Sequence, residues 1–144
     1  MPTAPERVRK GSYLLFITFS RTVTADVGAL GTLTAEEGEY CYAGSAMNGL
    51  DQRIGRHLSK EKRMRWHIDF FTVLADSAEA FVSFERDECE LADMAERSGC
   101  IPAFRRFGAS DCRCPTHLFR VTGRAKKELL EMSGATPFLT EGGT

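Results

Sequence analysis

The stretch Tyr40-Cys-Tyr-Ala-Gly-Ser-Ala-Met-Asn-Gly-Leu-Asp-Gln-Arg-Ile-Gly-Arg-His-Leu58 decides how the chain folds. Its period changes halfway. Tyr40, Tyr42 and Gly44 are spaced by two, so they share one face of a strand. Gly44-Ser45-Ala46 is a run of small residues that lets another group come close to the backbone. Asn48 offers a helix N-cap. Leu50, Ile54 and Leu58 then recur at helical spacing and are expected to form a buried stripe. Arg53 and His57 stand four apart and form a polar row beside that stripe. Two phenols, a guanidinium and an imidazole thus converge beside a glycine, a set suited to an anionic substrate.

On the N-terminal side, Tyr13-Leu-Leu-Phe-Ile-Thr-Phe19 is a nearly continuous apolar run of β-formers, as expected of a central strand buried on both faces. Residues 1–10 are Pro-interrupted and read as a flexible lead-in. Val27–Gly31 reads as a short extra strand or a loop, and Glu36-Glu37-Gly38 as a turn. On the C-terminal side, Trp66–Leu74 reads as a short helix after a basic loop, and Ala80–Phe84 as a strand. Asp87, with Glu90 three residues later, has the pattern of a capping box opening a helix that stops at Gly99. Residues 101–115 read as loop, His117–Val121 as a strand and Gly123–Met132 as a helix. The Gly-rich segment 136–144 reads as a loose tail. With no repeat or linker, residues 11–135 form one small α/β (α+β) domain.

The 144 residues suffice to bury roughly two-thirds of the unfolded surface. An apolar content of 42% with 27% charged residues is that of a globular domain. No apolar run reaches the ~18 residues of a membrane span, and the first residues lack the apolar centre of a signal peptide. Five cysteines without a framework pattern point to an intracellular, cytoplasmic location rather than a disulfide scaffold.

The net charge of −1 conceals strong segregation. Arg53, Arg56, Lys60, Lys62, Arg63 and Arg65 face a single acid, Glu61, in their segment. Residues 76–96 are strongly acidic, and residues 104–127 are basic again. If the two basic segments share a side of the fold, they form a phosphate-attracting face; otherwise they are solvated surfaces.

Glu88 is the informative acid. It shares a helix face with Leu91, Ala92 and Ala95, and an inward carboxylate needs a cation or a hydrogen-bond partner. It is therefore either a metal ligand or a helix-start acid paired with an arginine. Tyr13 and Tyr42, read alone, are what strand tyrosines usually are, packing residues whose hydroxyls reach water. Cys112-x-Cys114-x-x-His117 supplies donors suited to zinc, with Cys89, Cys100 or His67 as further ligands. No Cys-x-x-Cys pair supports it, and buried free thiols are the competing explanation. Trp66-His67-Ile68-Asp69 reads as a structural corner, with Asp69 orienting His67, or as a rim of the site.

Tyr42-Ala43-Gly44 followed by Arg53-x-x-x-His57 resembles the second half of a GIY-YIG nuclease core. Gly11-Ser12-Tyr13 stands at the GIY position, without the central Ile. With Trp66–Asp69, Glu88-Cys89-Glu90-Leu91 and Phe107-Gly108-Ala109-Ser110-Asp111-Cys112-x-Cys114-x-x-His117-Leu118, the ordered set is similar to the Uri-type branch of that superfamily, from about Gly11 to Phe119. The resemblance implies a three-stranded, mainly antiparallel sheet flanked by helices, with Ser20–Leu33 inserted between the first two core strands. It implies a metal-dependent endonuclease hydrolysing DNA phosphodiesters in DNA repair or processing; a single domain this small has little surface for sequence readout, so structure-directed or partner-directed cutting is expected. Tyr13 would lie near the attacking water, and Tyr42 near the scissile phosphate. Arg53 would stabilise the phosphate beside His57, and Glu88 would hold Mg²⁺ or Mn²⁺. The basic residues Arg56, Lys60, Lys62, Arg63 and Arg65 would meet DNA. The alternative is a non-catalytic nucleic-acid-binding module, or a zinc-stabilised interaction module with a protein partner, that retains the fold.

Overall fold

The structure, a computed structural model, describes residues 11–46, 53–54, 57–58, 67–108 and 114–138. In chain order its strands are β1 (Gly11–Phe19), β2 (Val23–Asp26), β3 (Thr32–Ala35), β4 (Gly38–Ala46), β5 (Ser77–Ser83), β6 (Ile101–Pro102), β7 (Leu118–Arg120) and β8 (Thr136–Pro137). Its α-helices are α1 (Asp69–Thr72), α2 (Glu88–Arg97) and α3 (Ala125–Ser133). The main sheet runs β6-β7-β4-β1-β5-β8, and all its pairings are antiparallel. This is an α+β fold.

The apolar run of β1 takes the middle of the sheet because both its faces are covered. Tyr13, Leu15, Ile17 and Phe19 join Tyr40, Tyr42, Ile54, Ile68, Phe71 and Phe107 on one side. Leu14 and Phe16 join Cys41, Ala43, Leu91, Ala95 and Leu129 on the other. At the helix-covered second face, Lys126 of α3 bonds the carboxylates of Glu39 and Glu79 and lies 4.7 Å from the Phe16 ring centroid, so α3 is tied to both β4 and β5.

Several expectations change. The sheet is wider than three strands: β5, β1 and β4 form its centre, and the short strands β6, β7 and β8 extend its edges. Residues 101–115, expected as loop throughout, begin with β6. The segment expected as an insertion, Ser20–Leu33, lies in a hairpin, with β2 paired to β3 and Gly28–Leu30 forming a 3₁₀ turn between them. The tail is docked at its start, where Thr136 and Pro137 pair with Val82 and Phe81 and the Phe138 N–H donates to the Ala80 carbonyl. Within the expected Asn48–Ser59 helix, Arg53, Ile54, His57 and Leu58 are helical; its other residues lie outside the described set. Ile54 is fully buried, but Leu58 is 44% exposed and His57 only 2%. The inward stripe is therefore rotated towards His57, whose ring packs on Tyr13 and Tyr42. Among the described residues, no helix is long and apolar enough to cross a membrane.

Candidate functional site

Strand register builds the centre of the site. Tyr13 of β1 pairs directly with Gly44 of β4, and Leu15 pairs with Tyr42, so both tyrosines project from the same sheet face. The Tyr13 ring lies across Gly44: a Cβ there would stand 2.3 Å from Tyr13 Cζ. The glycine that closes the Tyr-x-Gly turn is thus the seat of the first tyrosine, and any side chain would displace the phenol.

From that seat the Tyr13 hydroxyl reaches His57 Nε2 at 2.5 Å and is hydrogen-bonded by Arg53. A guanidinium only donates, so the phenol oxygen accepts from Arg53. The same hydroxyl shares a hydrogen bond with His57 Nε2, in which the tautomer of the imidazole sets which of the two donates. The Tyr13 and Tyr42 ring centroids are 6.3 Å apart, and Tyr42 meets His57 edge-on at 6.1 Å. Tyr13 is fully buried, and that burial raises its pKa well above the ordinary tyrosine value. Tyr42 and Glu88 push in the same direction, while the charge and hydrogen bond of Arg53 oppose them. The phenol therefore stays protonated at neutral pH and can pass a proton only by receiving one.

A second glycine seats Tyr42. Gly108, at φ +67°, leaves its side-chain space to the ring; a Cβ would stand 2.8 Å from Tyr42 Cε1. The Gly108 N–H donates to His67 Nδ1 at 2.9 Å, and the His67 ring packs on Phe107. His67 is thus part of the wall behind the tyrosines. Burial lowers its pKa, in keeping with a ring nitrogen committed to accepting.

Glu88 opens α2. Asp87 caps the helix with a complete capping box: its side chain accepts from the Glu90 N–H, and the Glu90 side chain accepts from the Asp87 N–H. Leu91, Ala92 and Ala95 are buried as their spacing requires, while Glu90 is exposed. The Glu88 side chain lies at the rim of that face, 37% exposed. Among the described residues it pairs with a histidine: Oε2 stands 3.4 Å from Nδ1 of the buried His117. The other nitrogen of His117, Nε2, is 3.9 Å from Cys89 Sγ. Cys89, Cys114 and His117 present ligand atoms within 4.8 Å of one another, a cluster that could hold a metal ion.

Tyr13, Tyr42, Arg53 and His57 are therefore in mutual contact or one residue removed from it, and the Glu88 charge acts on Tyr13. Of the further zinc ligands considered, Cys89 joins Cys114 and His117. Cys100 lies instead beside Cys41 in the second core, its thiol pushed up to about 11 by burial. Cys112, Trp66 and the basic residues Arg56, Lys60, Lys62, Arg63 and Arg65 lie outside the described residues. Sequence reading missed the Glu88–His117 pair and the seat that Gly108 gives Tyr42. The first has no local signal, since the partners come from different elements. The second was signalled only by the glycine within Phe107-Gly108.

No curated protein and no solved structure matches the chain. One family profile, described as Domain of unknown function DUF123, matches residues 12–136, which include every candidate site residue named above. That match spans most of the chain, and the chain belongs to the DUF123 family.

Proposed function

We propose that the chain is a metal-dependent endonuclease of the GIY-YIG type that hydrolyses DNA phosphodiester bonds, its β2–β3 hairpin being an insertion into that core. One observation carries the reading: the Tyr13 hydroxyl is held between Arg53 and His57 Nε2, beside Tyr42 and within the field of Glu88. Phosphodiester hydrolysis needs a base for the attacking water and positive charge for the phosphate oxygens. Tyr13 takes the proton of the attacking water as it releases its own to His57 Nε2. Arg53 presents a guanidinium fork to the phosphate oxygens. Tyr42, steadied by Gly108, places a second phenol beside that position.

Glu88 is the residue that would hold Mg²⁺ or Mn²⁺. The donor fits: a half-exposed carboxylate on a first helical turn has a second oxygen available besides the one facing His117, and Mg²⁺ binds through one or two carboxylates while keeping several waters. When bound, the ion supplies charge compensation at the phosphate. The segregated basic segments of the sequence favour a polyanionic substrate.

Labelled plain, nicked and branched DNA, incubated with and without Mg²⁺ beside Arg53→Ala and Glu88→Gln, tests this. Cleavage requiring Mg²⁺ and lost in both variants is expected. A second reading, a binding module that keeps the fold without turnover, draws on the Glu88–His117 pairing, which suits a purely structural role. Salt-sensitive DNA binding with no metal-dependent cleavage would select it.

A further inference from the structure

We propose that Cys89, Cys114 and His117 form a zinc-class metal site, distinct from the hard-cation position at Glu88 and coupled to it through the His117 ring. Two separate pieces of the chain supply the donors. Cys89 is the second residue of α2, His117 immediately precedes β7, and Cys114 stands three residues before His117. Two thiolates and an imidazole are donors that Zn²⁺ favours, whereas Mg²⁺ and Ca²⁺ take oxygen ligands.

The geometry is close to that of a loaded site. Zn–S and Zn–N bonds of ordinary length meeting at the tetrahedral angle separate sulfur and nitrogen by about 3.6 Å. Cys89 Sγ and His117 Nε2 are 3.9 Å apart, so a small inward movement closes the pair on an ion. The orientation of the ring is the stronger argument. With Nε2 facing the sulfur, Nδ1 lies 3.4 Å from Glu88 Oε2, within ion-pair reach but without hydrogen-bond geometry, so a small turn of the carboxylate lets Nδ1–H donate to it. A ligating imidazole commonly donates its other N–H to a carboxylate, which fixes tautomer and ring plane. His117 is 1% exposed and its backbone is held on both sides, its N–H donating to Phe107 and its carbonyl accepting from Ala43. Cys89 and Cys114 are only partly buried, so an ion has a route in. A water or one further side chain completes the four-coordinate shell. Loading the site joins the first turn of α2, and with it Glu88, to the loop that seats Tyr42.

This inference does not rest on the nuclease reading, because metal content is read without nucleic acid. The full chain, purified reduced from zinc-supplemented medium and dialysed, is expected to retain about one zinc per chain. Replacement by Co²⁺ is expected to give a thiolate-to-cobalt charge-transfer band with the visible bands of a tetrahedral ion. Cys89→Ser and Cys114→Ser, checked for native circular dichroism, should each weaken zinc binding at least tenfold. Glu88→Gln should leave the stoichiometry intact and weaken affinity by about 10- to 100-fold. Only trace zinc, a cobalt spectrum without the thiolate band, or unchanged zinc content in the folded double cysteine variant would overturn the proposal. The wild-type cobalt spectrum decides the matter even if a cysteine variant fails to fold.

Discussion

At the scale of single residues, the site depends on two side chains that are absent. Gly44 carries no unusual backbone requirement; its function is to leave room for Tyr13. Gly44→Ala places a methyl inside the van der Waals radius of a ring that His57 and Arg53 hold from the far side. Such overpacking costs about 1–3 kcal/mol. Urea unfolding should show that loss, and cleavage should fall further than stability, because the displaced phenol leaves His57. His67 sets a pH dependence. The Gly108 N–H needs an unprotonated Nδ1, and burial holds the folded-state pKa below 6.5. As pH falls through about 6.5 the unfolded chain binds the proton first, so stability declines from there down to the folded-state value. His67→Asn places an amide oxygen near the Nδ1 position and so retains an acceptor without titrating. It should flatten part of the decline in urea midpoint between about pH 7.5 and 5.5; an unchanged slope would remove His67 from this role.

At the scale of elements, the start of α2 matters most, because its first turn carries both Glu88 and Cys89. Asp87→Ala removes the cap of the Glu90 N–H, and loss of such a cap costs about 1 kcal/mol. Unfolding measurements should find that loss, and cleavage should drop with it as the first turn frays; full cleavage at reduced stability would show that Glu88 is held independently of the cap. This element was legible in the sequence because every signal was local: the cap, the reciprocal glutamate, the inward Leu91-Ala92-Ala95 face and the stop at Gly99. The strands β1 and β4 were legible for the same reason, through apolar density and period two. Short edge strands were not. Ile101–Pro102 and Thr136–Pro137 contain prolines and are exposed, so their pairing comes from the partner strand and leaves no pattern of its own. Helix rotation was also illegible. Leu58 carries the more apolar side chain, yet His57 turns inward because a hydroxyl awaits it there.

At the scale of the whole molecule, the sheet brings distant segments together. Pairing of β1 with β4 sets Tyr13 over Gly44, and β7 beside β4 brings His117 to the start of α2. The first meeting could be anticipated from the motif order, since both strands are strongly patterned. The second could be anticipated only in part: Cys89 stood among three possible companions of Cys114 and His117, while nothing near Glu88 signals His117. On the proposed function, Tyr13, Arg53, His57 and Glu88 act as one phosphodiester-cleaving unit. Single-turnover cleavage of labelled DNA at saturating Mg²⁺ tests it most directly, comparing wild type with folded Tyr13→Phe. The wild type should cleave in a Mg²⁺-dependent way, and the variant about 10²- to 10⁴-fold more slowly, the range expected for loss of a proton-transferring group. Equal rates in the two proteins, or no cleavage of any DNA by the wild type, would contradict it.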